Sequence, residues 1–221
     1  MTEGVFPALT RQGLTEAVEQ AIRRAILEGR LAAGERLVEA RISEELGVSR
    51  APVREALARL AQRGLVVSLA NRGTFVVRLG PEDVGELFTL RVLLEGHAAS
   101  CLASAGRLTE LAYLEQLAES AQEAARVNNA EAAAERDLEF SAHLVGLAGS
   151  RRLLRIWQEL SDQLRLALPG LGRLGSPAPA EGLRRVLDAL RTRDPEAARR
   201  AMADHLARWR VLWLRAVSEG G

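Results

Sequence analysis

Arg50 and Arg54 stand four residues apart in the segment SRAPVREAL, so on a helix they share one face, while Val53, Leu57 and Leu60 at i, i+4 and i+7 share another. Two guanidiniums at a helix N-terminus suit two kinds of partner. One is a phosphate oxygen. The other is the O6 and N7 edge of guanine in a major groove, which a guanidinium grips with two parallel hydrogen bonds. Ser49, just before the pair, can cap the helix, and the backbone N–H groups of the first turn can hold a phosphate. On an arbitrary helix such arginines are merely solvated charges, so the elements around them decide between the readings.

A second arginine breaks an apolar pattern. Val84, Leu87, Arg91, Leu94 and Ala98 form one stripe at helical spacing. Glu95, four residues on, can neutralise Arg91 in an internal salt bridge. Arg91 can equally serve as a clamp for an anionic ligand such as a carboxylate. The two roles are compatible in turn. His205 lies on a stripe with Ala198, Ala201, Met202, Trp209 and Leu212, where periodicity alone suits a core histidine. Trp157, Trp209 and Trp213 read as core, Arg165 as a solvated charge, and Cys101, among Ala and Leu, as a small buried apolar residue.

The elements that must position these groups fall into two sets. Residues 12–28 carry Leu14, Val18, Ala21, Ile22, Ala25 and Ile26 on one side and predict a helix ended by Gly29. A short helix follows over 39–46. Gly47-Val48-Ser49 is a tight turn, and a third helix covers 50–63, with Pro52 in its first turn, where a missing N–H does no harm. The β-branched runs 66–70 and 74–78, joined by Asn71-Arg72-Gly73, predict a hairpin. This order is that of a winged helix-turn-helix, assigned to residues 10–79. Pro81 marks a boundary. Beyond it, six helical stretches (81–104, 108–127, 131–148, 151–168, 180–192 and 195–217) and no strands predict an all-helical bundle over 80–219, with one Pro/Gly-rich loop at 169–179 read as mobile. The fold class is therefore mainly α.

The first set resembles the winged-helix domain of GntR-type bacterial regulators. The turn G-x-L-x-x-G-E-x-L (Gly29 to Leu37), the stretch GVSRAPVREAL, the L-x-x-x-G-L-V entry to the wing and its R-G-x-x-V occur in the family's order. The resemblance implies that Ser49, Arg50, Pro52 and Arg54 line the DNA side of the recognition helix, that Glu39 assists from the preceding helix, and that Arg72 and Gly73 act from the wing. Ala51 stands where relatives usually carry Thr, so one hydroxyl contact to the DNA backbone is lost. Such proteins bind inverted repeats as dimers.

The second set resembles, more loosely, the helical FCD effector domain of the FadR-like branch. The match rests on LRVLLEG (Leu90 to Gly96), DLEFSAHLVGLAGSRRLL (Asp137 to Leu154) and EGLRRVLDALRTRDPEAARRAMADHL (Glu181 to Leu206). Six helices fit its shorter, VanR-like type. Many such domains hold a divalent metal with one Asp and three His, and here two of those His positions are Ser141 and Gly182. Only Asp137 and His205 remain. His143 is six residues from Asp137, which places it about 120° away around the helix, so it does not take over the role. Two protein ligands are too few for a tight site. The resemblance thus implies an effector pocket faced by Asp137, Ser141 and His205, with a vestigial metal site at Asp137 and His205, and Arg91, as the clamp its stripe suggests, is the fourth candidate effector contact.

Composition sets the outer bounds. The chain has 221 residues, 27% of them charged, and a net charge of +1; all thirty basic residues are Arg. Residues 1–80 hold twelve Arg against nine Glu, and the remainder holds more acid than base, as suits a nucleic-acid head on a different body. One cysteine excludes an internal disulfide framework and a cysteine-based zinc site. No secretory signal or apolar span long enough for a bilayer is evident, so a cytoplasmic location is expected. The expected protein is a non-enzymatic, homodimeric repressor of transcription that binds operator DNA and is tuned by a small organic acid. The rival readings are a metal-dependent regulator, a metal-assisted hydrolase built on Asp137 and His205, and a sequence-neutral architectural DNA binder.

Overall fold

Apolar residues at i, i+4 and i+8 start the first element. Val18, Ile22 and Ile26 are each 3% exposed along α1 (Gln12–Leu27), whereas Leu14, expected on the same side, is 49% exposed. The computed structural model describes residues 12–106, 108–174 and 178–219. The chain divides into two compact units, Met1–Arg78 and Leu79–Gly221. Residues 10 and 11, at the expected start of the first domain, lie outside the described residues, as does the segment read for a secretory signal.

In the first unit, α1 is followed by β1 (Arg36–Leu37), α2 (Glu39–Glu45), α3 (Arg50–Gln62), β2 (Val66–Leu69) and β3 (Gly73–Val76). Both α1 and α2 pack on α3, whose Val53, Ala56, Leu57 and Leu60 are buried. The polar link between α1 and α3 is also partly buried. Glu19 is paired with Arg63 at 3.2 Å and Arg59 at 3.8 Å, and the Thr15 hydroxyl donates to Glu55 at 3.2 Å. The strands form an antiparallel sheet in the order β1-β3-β2, with Arg36 opposite Phe75 and Val66 opposite Val76. β1 was not expected, since two residues carry no readable alternation. The hairpin is present but shorter than its β-branched runs, because Ala70 belongs to the turn and pairing stops at Val76.

The turn needs two residues in the left-handed region, Asn71 at φ 60° and Gly73 at φ 104°. A Cβ at Gly73 would also sit 3.2 Å from Arg36 Nε. Gly73→Ala is expected to cost about 1–2 kcal/mol, measurable by urea unfolding of the first unit followed by far-ultraviolet circular dichroism. An unchanged midpoint would show that the wing tip tolerates a side chain.

The described part of the second unit is helical: α4 (Pro81–Ala105), a 3₁₀ turn (Leu108–Glu110), α5 (Ala112–Arg126), α6 (Ala130–Leu147), α7 (Arg151–Arg165), α8 (Leu168–Arg173), α9 (Gly182–Arg191) and α10 (Pro195–Ser218). Short polar residues start three of them. Asn129 accepts from the Ala132 N–H, Ser150 from Leu153, and Asp194 from Glu196 and Ala197, with Pro195 in the first turn of α10. α4 lies along α10 and also touches α6, α7 and α9. Trp157, Trp209 and Trp213 are at most 1% exposed, as their periodicity predicts. The six expected helices appear, and a seventh, α8, corrects the reading of 169–173 as part of a mobile loop: Leu168 and Leu171 are buried and α8 packs on α6 and α10, while residues 175–177 of that expected loop lie outside the described residues. Its brevity hid it, since six residues including a proline and two glycines show no helical period. Cys101 is half-exposed, not buried, with Sγ 3.5 Å from His97 Nε2. Among the described residues, no helix is long and apolar enough to cross a membrane.

Candidate functional site

The first candidate site is built on the N-terminal end of α3. Ser49 has the extended backbone of an N-cap, at φ −71° and ψ 162°, but its hydroxyl makes no capping bond, contrary to expectation. It is exposed beside the first turn, as are Arg50 and Ala51, while Pro52 is half-buried against the unit. The buried Val53, Leu57 and Leu60 anchor one face of α3 in the core and leave Arg50 and Arg54 on another. Arg54 is held from α2. Its Nη2 donates to Glu39 Oε2 at 2.9 Å, and its Nε lies 3.2 and 3.3 Å from the two carboxylate oxygens. Glu39 thereby orients the Arg54 fork and removes rotamer freedom from it. Arg72 is exposed in the wing turn, and Gly73 opens β3 behind it. Among the described residues, no acid pairs with the guanidinium of Arg50 or Arg72.

The second candidate site is buried in the helical unit. α4 supplies Arg91 and Glu95 one turn apart, α6 supplies Asp137 and Ser141 one turn apart, α7 supplies Trp157 and α10 supplies His205. Arg91 Nε donates to Glu95 Oε1 at 2.6 Å, and Arg91 Nη2 donates to Asp137 Oδ2 at 2.9 Å and to Ser141 Oγ at 3.3 Å. The Ser141 hydroxyl donates to Glu95 Oε2 at 2.6 Å, and the Trp157 indole donates to Glu95 Oε1 at 2.9 Å. His205 Nε2 lies 2.5 Å from Asp137 Oδ1. An ionised carboxylate only accepts, so the ring carries its proton on that nitrogen. The Arg91 guanidinium also lies over the Phe88 ring, 5.1 Å from its centroid.

The structure therefore brings Arg91, Asp137, Ser141 and His205 into one cluster and adds Glu95 and Trp157 to it. The salt bridge to Glu95 is the structural role foreseen for Arg91. No spacing rule pointed to Trp157, which lies on a helix far along the chain. Arg91, Glu95, Ser141 and His205 are fully buried, and Asp137 is 1% exposed. Burial by itself would raise the Asp137 pKa, but His205 and Arg91 outweigh it and hold the carboxyl below the ordinary aspartate value. Burial would lower the Arg91 pKa, and the charges of Glu95 and Asp137 overcome it and raise it. Two buried atoms of the cluster, Arg91 Nη1 and His205 Nδ1, have no hydrogen-bond partner among the described residues. His143 stands apart, edge-on to Tyr113 at 4.8 Å. Arg165 is not a solvated charge: it donates to Glu135 at 2.9 and 3.1 Å and to Ser161.

The cluster does not fit a divalent metal. Both Asp137 oxygens are engaged, one by His205 and the other by Arg91, and Ser141 is turned to Glu95. Among the described residues, no group of three or more His, Cys, Asp or Glu is arranged to hold a metal ion.

A winged helix with an arginine-bearing α3, joined to an all-helical unit with a buried polar centre, defines the class of two-domain DNA-binding regulators. The profile of the gntR family of bacterial regulatory proteins matches residues 14–76, and that of the FCD domain matches residues 86–208. A relative named as a probable D-xylose utilization operon transcriptional repressor, from Paenarthrobacter nicotinovorans, is 33% identical over 209 residues, covering 90% of this chain and 88% of its own. The Glc operon transcriptional activator of Escherichia coli (strain K12) is 28% identical over 222 residues, covering 89% and 87%. The crystal structure of a GntR regulator from Rhodococcus sp. RHA1 superposes with a TM-score of 0.76 at 26% identity, over 92% of this chain and 98% of that one. The chain belongs to the GntR family and carries its FCD effector domain. It is a DNA-binding transcriptional regulator, not an enzyme.

Proposed function

We propose that the protein is a cytoplasmic homodimer that represses transcription from an inverted-repeat operator and releases or tightens its grip when a small organic acid enters the helical unit. Residues 10–79 act as the DNA-reading domain and residues 80–219 as the sensor. Arg50 and Arg54 read guanine edges, with Glu39 aiming Arg54. Ser49, Ala51 and Pro52 lie against the DNA backbone, and Arg72 and Gly73 contact the next groove or phosphate. The observation that carries this reading is the exposed pair Arg50 and Arg54 on the first turns of α3, one free of acid partners and the other held by Glu39. Repression is the sign borne by the D-xylose relative's name.

Arg91, Asp137, Ser141 and His205 are the effector contacts in this reading. The unpartnered Arg91 Nη1 supports it, since a carboxylate could accept from that donor. An effector shifts the DNA-binding equilibrium only as far as it prefers one dimer conformation over the other. Selection of bound duplexes from a random library tests the DNA half. Enrichment of two related half-sites in opposite orientation is expected; a library that stays random would refute sequence reading. A thermal-shift panel of mono- and dicarboxylates tests the sensor half. At least one acid is expected to raise the melting temperature of the native chain and leave Arg91→Lys unmoved, because lysine lacks the fork. A response that survives in Arg91→Lys would make Arg91 structural only.

A further inference from the structure

We propose that the sensor centre excludes metal by construction, with Gly182 admitting the His205 ring to the space a fourth ligand would need and the Arg91 guanidinium supplying the positive charge beside Asp137. The inference stands whichever effector the domain binds.

Gly182 carries the steric half. A Cβ built there would lie 2.2 Å from His205 Nδ1, 3.0 Å from its Cγ and 3.1 Å from its Cβ. No side chain coexists with the ring at those distances. The absence of a side chain at Gly182 is thus what lets His205 sit where it reaches Asp137. Ser141 carries the second half. A histidine there would have to enter a space where the small hydroxyl now links Arg91 to Glu95, at 3.3 and 2.6 Å.

Electrostatics points the same way. Glu95 and Asp137 bring two negative charges, and Arg91 holds a fixed positive charge against both. A dication placed beside Asp137 would face the fixed guanidinium, whose Nη2 is 2.9 Å from Oδ2. It would also have to break the 2.5 Å contact between His205 and Asp137 to gain His205 Nε2 or Asp137 Oδ1 as a ligand. The centre thus carries its cation on α4, beside the Asp137 carboxylate.

The test uses the full chain, stripped with chelator and then titrated with zinc and nickel ions. Native protein is expected to take up less than stoichiometric metal and to keep its melting temperature. Stoichiometric binding by the native chain would overturn the proposal. The double variant Ser141→His, Gly182→His is expected to gain one zinc per chain; a folded double variant that still binds none would remove these two positions as the cause. If the double variant does not fold, Gly182→Ala carries the test. Its Cβ is expected to push His205 off Asp137, read as a changed ring ¹⁵N shift and proton signal for His205. An unchanged His205 spectrum would sink the steric claim.

Discussion

Asp137→Ala is expected to destabilise the helical unit by about 3–5 kcal/mol, the usual cost of removing one partner from a buried ion pair. The loss is large because of what stays behind. Arg91 keeps its charge and its full burial but loses a partner at 2.9 Å, and the His205 Nε2–H loses the Asp137 acceptor. Glu95→Ala is expected to cost a similar amount, since Glu95 accepts from Arg91, Ser141 and Trp157 together. All three tryptophans lie in this unit, so urea unfolding followed by tryptophan fluorescence reads it alone. A change below about 1 kcal/mol, the range of exposed pairs, would mean that water reaches the cluster.

The pH dependence has a fixed sign. The folded-state pKa of Asp137 is depressed, so its contribution is present above the unfolded value and is lost as pH falls through the lower folded value. The stability of the helical unit should therefore begin to fall as pH drops through the ordinary carboxylate range and go on falling until the lower folded value is passed. In Asp137→Asn that acid loss should shrink. An acid limb identical in native and variant chains would place the responsible group elsewhere.

The second large effect concerns DNA. Arg50→Ala or Arg54→Ala is expected to weaken binding to the selected operator by about 1–3 kcal/mol each, roughly 5- to 150-fold in dissociation constant. Random duplex should lose much less, because a single phosphate contact contributes mainly to the salt dependence. Glu39→Gln separates aiming from reading. It leaves Arg54 in place but weakens the bidentate hold, so a smaller loss with the same base preference is expected. Competition between operator and random duplex at fixed salt measures all three variants.

Much of this was legible from residue type and spacing. Val53, Leu57 and Leu60 at helical spacing correctly put Arg50 and Arg54 on a different face of α3. Asn71 and Gly73 marked a turn that does need positive φ. Arg91, alone on an apolar stripe, proved fully buried beside Glu95. The misses share a physical cause, which is that short or long-range features leave no period. β1 has two residues, α8 has six, and Trp157 reaches Glu95 across 62 positions of chain. Leu14 failed differently. Its face is apolar by pattern, but it lies near the end of α1, where the core no longer covers it. The seat of His205 against Gly182 was invisible for a related reason: a glycine gives no sign of what fills the space it leaves.

Methylation interference at guanine N7 is the most direct measurement of the central claim, that α3 enters the major groove with its arginines on base edges. On the selected operator, N7 methylation of one guanine in each half-site should block the native chain, while the Arg54→Ala or Arg50→Ala variant should bind methylated and unmethylated duplex alike at its reduced affinity. If N7 methylation leaves native binding untouched, or if the variants remain as sensitive as the native chain, these arginines do not read the groove.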